Sequence, residues 1–259
     1  MLLGDSLGEK YPPFVVFKVK PSKIQDTQKE NENERHGFSL LMWNKHIQKV
    51  QNDTNMQVYT NAKRWWDRHL TMRFFKFQFG NRPNLLEPIL LLLDDFSGLW
   101  IDELVEYTKS IKVTLLKIPP NATSVCQPAD ANWNGPLKVR QRNKWIESLR
   151  EQLRVRNPEV AFKLKTSDRT ELCKWIFSTW SAVATSTIAA GFRKCGLIER
   201  GCGENEETEA ETAPVQENAD DIVHEMLRAG ALDMEVGEFC LDDDFDDMFR
   251  SVADSNLQQ

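Results

Sequence analysis

The sequence predicts an α/β fold, a sheet flanked by helices, and three observations carry that prediction. Pro88-Ile89-Leu90-Leu91-Leu92-Leu93 is a continuous aliphatic run bounded by turn residues, the pattern of a short strand buried on both faces. Trp100 to Ser110 then reads as a helix, and Val113 to Leu116 as the next strand. Strand, helix and strand in that order form a βαβ unit, so the two strands run parallel.

The remaining elements follow in chain order. Met1–Leu3 and Phe14–Phe17 are apolar and separated by the turn-rich Gly4-Asp5-Ser6-Leu7-Gly8-Glu9-Lys10, which predicts two antiparallel strands of one hairpin. Pro12-Pro13 marks the start of the second strand, where proline is tolerated. Lys20 to Arg35 is polar and charged and reads as a mobile loop. Met56 to Thr60 alternates like a strand, and Trp65, Trp66, Leu70, Phe74 and Phe77 recur at helical steps. Ile118-Pro119-Pro120-Asn121 stops the second strand of the βαβ unit. Two helices are expected beyond it, Trp133 to Arg156 and roughly Thr170 to Ala190.

Charge divides the chain in two. Residues 203–259 carry a balance of −16, whereas residues 1–202 carry +10, and the net −6 conceals both. The expected organisation is therefore a domain over residues 1–200 and an acidic tail over 201–259 with the composition of a disordered segment. Two amphipathic stretches punctuate the tail, Ile222-Val223-Met226-Leu227 and Phe245-Met248-Phe249, which suit a protein partner. No apolar run approaches the roughly 18 to 20 residues of a membrane span, so no membrane partner is expected. The 5 cysteines are scattered without a C-x-x-C pair, and no Gly-rich phosphate loop or Gly-x-Ser-x-Gly elbow is present. These absences argue against zinc modules, nucleotide-binding loops and serine hydrolases.

Two aspartates remain as candidates for chemistry. Asp94 closes the aliphatic strand, at the edge of an α/β sheet where ligands bind. It reads either as a divalent-metal ligand or as a turn or capping residue for the helix at Trp100. Asp130 follows after 35 intervening residues, at the approach to a basic helix. One βαβ unit and a loop can return it to the same sheet edge, where two carboxylates attract a hard cation.

The surrounding residues bear a resemblance. Leu91-Leu92-Leu93-Asp94-Asp95-Phe96-Ser97-Gly98 resembles the second-aspartate motif of pogo/Tigger/Jerky-like transposases, whose catalytic unit is a DDE superfamily endonuclease domain. Leu116 to Ser124 (Leu-Lys-Ile-Pro-Pro-Asn-Ala-Thr-Ser) with Gln127-Pro128-Ala129-Asp130 resembles the block around that family's third aspartate. Lys138 and Arg140 match the basic residues after it. Gly191 to Leu197 resembles the closing Phe-x-x-Cys-Gly segment, and Pro12 to Lys18 the early hairpin strand. The resemblance spans roughly residues 1–199.

It implies an RNase H-like mixed sheet flanked by helices, acting on DNA in the nucleus. In that family three carboxylates hold two Mg²⁺ (or Mn²⁺) ions for strand cleavage and transfer. Asp94 and Asp130 would be the second and third carboxylates, catalytic and metal-binding. Lys138, Arg140 and Arg142 would contact DNA phosphates, although Lys138 reads equally as a solvated helix lysine. The chain departs from the pattern in three ways. The strand bearing the first aspartate precedes the opening hairpin and is missing, and Asp5 belongs to a turn. Leu99 stands where a histidine is usual. The family's helix-turn-helix DNA-binding region is also missing. The expectation is a domain lacking the first catalytic aspartate and therefore inactive, either a truncated nuclease or a remnant that binds DNA or protein.

Overall fold

A computed structural model of the chain describes residues 1–63, 66–157, 159–160 and 162–199. Trp65 and the acidic tail, with both amphipathic stretches, lie outside the described residues.

The opening segment pairs antiparallel as the hairpin reading requires, but only one arm is a regular strand. Tyr11 N–H donates to the Leu3 carbonyl (2.9 Å) and Phe14 N–H to the Met1 carbonyl (3.0 Å), with one bridge between Gly4 and Lys10. Gly8 at φ 92° and the prolines at 12 and 13 break the ladder before it lengthens. The regular strand, β1 (Phe14–Lys18), bonds in parallel to β2 (Gln57–Asn61), with Phe14 opposite Gln57.

Between these strands the chain is helical, which corrects the loop reading of Lys20 to Arg35. Helix α1 (Gln25–Glu34) is polar yet regular. Its end is fastened by Arg35, only 6% exposed, whose guanidinium donates to Asn31 Oδ1 (3.0 and 3.1 Å) and pairs with Glu30 at 3.0 Å. A composition without an apolar stripe hid this helix, since side-chain bonds rather than burial close its last turn. Next, α2 (Leu40–Met42), a π-helical turn (Trp43–Ile47) and α3 (Gln48–Thr54) form one continuous rod. Ser39 caps its start and Asn55, at φ 54°, ends it.

Helix α4 (Arg68–Phe79) starts three residues later than the periodicity indicates, because Asp67 caps it by accepting from Leu70 N–H at 3.0 Å. Leu70, Phe74, Phe75 and Phe79 face the core. The βαβ unit is present as expected: β3 (Ile89–Leu93) and β4 (Val113–Lys117) are parallel, and α5 (Asp102–Ser110) joins them. Burial of β3 on both faces is corrected. Leu91 and Leu93 are buried, whereas Leu90 is 62% exposed.

The C-terminal part of the described chain is helical: α6 (Thr123–Cys126), a π-helical turn (Ala129–Trp133), α7 (Asn134–Arg154), α8 (Arg169–Ser181) and α9 (Thr185–Lys194). The single helix expected over Thr170 to Ala190 is thus two. Lys10 marks the break, its ammonium donating to the carbonyls of Trp180, Ser181 and Val183 at 3.2, 2.5 and 2.5 Å. A cation at a helix C-terminus satisfies carbonyls that the helix itself leaves open.

The class is α/β, with small parallel sheets flanked by helices. The β1–β2 sheet separates two cores. Phe14, Val16 and Tyr59 face one, which they share with α4, α5 and the inner side of β3–β4. Val15, Phe17 and Val58 face the other, with Ile47, Val50 and Cys173. Among the described residues no helix is long and apolar enough to cross a membrane.

Candidate functional site

The parallel pairing of β3 and β4 decides what lies near Asp94. Leu93 is opposite Lys117, and Ile118 N–H donates to the Leu93 carbonyl at 2.8 Å. Asp94, Asp95, Lys117 and the start of the Pro119-Pro120 loop therefore gather at one sheet end. Asp95 is ion-paired with Lys117, whose ammonium also lies 5.4 Å from the centre of the Trp100 ring. Asp94 makes a turn: its Oδ1 accepts from Phe96 N–H (3.2 Å) and its carbonyl from Trp100 Nε1 (2.9 Å). It does not cap α5, since Ile101 stands at that helix's N-cap without a side-chain bond. The second carboxylate oxygen of Asp94 takes no hydrogen bond among the described residues, and the side chain is half-buried.

Asp130 is placed by a different scaffold. The chain leaves β4 through Pro119 to Asn121, where Asn121 adopts φ 61°, and then enters α6 and the π-helical turn. That turn packs on α9. Trp133 is buried beside Ile188, with the Phe192 ring 6.0 Å away, Asn132 Nδ2 donates to the Thr187 carbonyl (2.7 Å), and Lys194 Nζ donates to the Ala131 carbonyl (2.7 Å). Gly191 is required here. A Cβ at that position would sit 2.7 Å from the Pro128 carbonyl oxygen and 2.9 Å from the Trp133 ring. Helix α9 thus serves as the seat for the turn that carries Asp130. Asp130 itself is exposed, with Oδ1 accepting from Asn134 Nδ2 at 2.6 Å.

Each aspartate keeps one carboxylate oxygen outside these bonds, and oxygen donors suit a hard divalent cation. No bond links the two side chains, and among the described residues no group of three or more His, Cys, Asp or Glu converges on a metal position. Asp5 is bound within its own loop. Its Oδ1 accepts from Leu7 N–H (3.0 Å) and Glu9 N–H (2.9 Å), and its Oδ2 from the Tyr11 hydroxyl (3.5 Å), which commits it to its own turn.

On α7, Lys138 is exposed, as is Arg150. Arg140 and Arg142 are half-buried and each makes a contact of its own. Lys144 and Arg154 are paired with Glu147 and Glu151, both at 2.9 Å.

Two features escaped the sequence reading. Lys10 is one, and no spacing announces a lysine that binds carbonyls 170 residues away. The other is a cavity of about 560 Å³ at the C-terminal ends of β1 and β2, lined by His36, Asn61, Asp67 and Arg73 among others. His36 stacks on Tyr59 at 3.9 Å, and its Nδ1 lies 3.0 Å from the Val58 carbonyl and 3.2 Å from Gln51 Oε1. Burial holds its pKa below the ordinary histidine value. Neither Asp94 nor Asp130 lines this cavity. Its residues are far apart in sequence, and no local pattern joins them.

Compared with known proteins, the chain matches the family described as DDE superfamily endonuclease over residues 5–192. No curated protein and no solved structure matches it.

Proposed function

Because this chain belongs to the DDE superfamily endonuclease family, we propose that it is a transposase-derived domain of the pogo/Tigger/Jerky type that binds DNA in the nucleus without cutting it. The observation that carries this reading is the carboxylate set. Asp94 and Asp130 stand on separate scaffolds with open oxygens, and no third acidic group among the described residues joins them. Two-metal phosphodiester chemistry clamps both the attacking and the leaving oxygen, and among the described residues Asp94 and Asp130 have no third carboxylate beside them for that. Mg²⁺ or Mn²⁺ is the cation such oxygens would hold.

Binding is supported by the +10 balance of residues 1–202 and by the exposed Lys138 on α7. Arg140 and Arg142, half-buried on the same helix, would add to that surface through whatever part of each guanidinium remains accessible.

The test is fluorescence anisotropy with a labelled duplex across a salt series, paired with a cleavage assay in Mg²⁺ and in Mn²⁺. The expected result is binding that weakens steeply with salt, is unchanged in Asp94→Ala and is reduced in Lys138→Glu, with no cleavage. Absence of binding at low salt would sink the DNA-holding role. Metal-dependent cleavage abolished by Asp94→Ala would replace the inactive reading with an active nuclease.

A further inference from the structure

The β3–β4 sheet has one open apolar face. Register places Leu90 and Leu92 opposite Thr114 and Leu116, so these four share the side turned away from the core. Leu90 is 62% exposed and Leu116 46%, and Leu86, just before the strand, is 75% exposed. Thr114 is exposed as well. Parallel sheets ordinarily bury both faces, most often under a helix, yet no described element covers this one.

We propose that this face is the docking site for the chain's own segment Asp220 to Arg228. Ile222, Val223, Met226 and Leu227 recur at i, i+1, i+4 and i+5, which in a helix makes one apolar stripe, and Asp220, Asp221, Glu225 and Arg228 fall outside it. Reach is ample. The 22 residues between Glu199 and Ile222 extend to about 70 Å, against a radius of gyration of about 16 Å for a domain of this size. Charge selects this occupant over a second copy of the body. Residues 203–259 carry −16 and residues 1–202 carry +10, so the tail is drawn to the body while two bodies repel. Lys112, exposed immediately before β4, gives the face a cationic edge for the acidic residues of the segment. Tethering adds a high effective concentration at no further contact. The inference shares the +10 balance of residues 1–202 with the DNA-holding role but stands on the open face of β3–β4, which that role does not use.

The experiment uses the full chain with photoreactive benzoylphenylalanine in place of Leu116, an exposed position where a larger side chain disturbs no packing. After irradiation, the product is sized and its cross-linked peptides are identified by mass spectrometry. The expected product has the mass of one chain and joins position 116 to the peptide containing Ile222 to Leu227. The double variant Ile222→Asp, Met226→Asp should lower its yield at least five-fold. The same probe at Val155, which is 68% exposed just past the end of α7, should not capture that peptide. A two-chain product would overturn the proposal in favour of a second copy. Capture of another segment, no capture, an undiminished yield in the double variant, or equal capture from Val155 would each overturn it too.

Discussion

The two sheets of this molecule invert what their sequences advertise. β1 and β2 read Phe-Val-Val-Phe-Lys and Gln-Val-Tyr-Thr-Asn, with polar residues in both, yet their two faces line two separate cores. β3 reads Ile-Leu-Leu-Leu-Leu, and half of it faces outward. Aliphatic content therefore measures how much a strand can bury, whereas its place among the layers decides how much it does bury. The difference also separates the candidate chemistry. Asp94 ends the more open sheet, and the cavity lined by His36, Asn61, Asp67 and Arg73 lies at the end of the enclosed one.

The largest effect that tests this contrast should come from Phe14→Ala. Phe14 is fully buried, stacked on Tyr59 at 4.8 Å and edge-on to Phe74 at 5.6 Å. Its loss should destabilise the protein by about 3–5 kcal/mol, the range for a phenylalanine removed from a packed core, measured by urea denaturation. Within the second sheet, Leu91→Ala should cost about 2–5 kcal/mol. Leu90→Ala, one residue away on the open face, should cost at least about 1 kcal/mol less. Equal losses at positions 90 and 91 would break the contrast.

How much of this was legible beforehand follows from what kind of signal each feature leaves. The βαβ unit was readable because hydrophobic periodicity is local, and Ile89 to Leu93 and Val113 to Lys117 pair in register as that unit requires. The turn carrying Asp130 was visible as a motif. Its dependence on Gly191 was not, since that contact joins residues about 60 positions apart and is made by backbone rather than by a patterned side chain. Helix α1 was missed because its stability is read from bonds such as Arg35 to Asn31, which leave no apolar rhythm. The open face of β3 was illegible in principle. Five consecutive aliphatic residues look the same whether one or two sides are covered.

Ion contacts supply the middle of the scale. Lys10→Met should cost about 1–2 kcal/mol, because three carbonyls at the end of α8 lose a charged donor in a partly buried setting. Lys117→Ala should cost under about 1 kcal/mol, since its pair with Asp95 is about half solvated on the lysine side. Thermal denaturation of both variants would check the order. A Lys117 variant less stable than the Lys10 variant would mean that the open sheet end is held more tightly than its exposure implies.

The smallest effect is a difference in pH response between the sheets. His36 packs on the β1–β2 sheet, stacked on Tyr59 and edge-on to Trp43 at 5.0 Å, whereas residues 70–199, which include both β3 and β4, contain no histidine. Burial disfavours the charged imidazole, so the folded pKa of His36 lies below the ordinary 6.5 of the unfolded chain. The unfolded state then binds the proton more readily than the folded state. The stabilisation from neutral His36 is complete above pH 6.5 and is lost as pH falls through the folded value. Lowering the pH from 7 to 5 should speed hydrogen exchange of the β2 amides relative to those of β3. Carboxylates titrating elsewhere move both sheets and cancel in that ratio. His36→Asn keeps a residue tolerant of the positive φ of 53° at this position but has no group that titrates in the range. It should start from a lower stability and show a flat ratio. A ratio that still changes in this variant, or that never changes in the parent chain, would detach the pH response from the enclosed sheet.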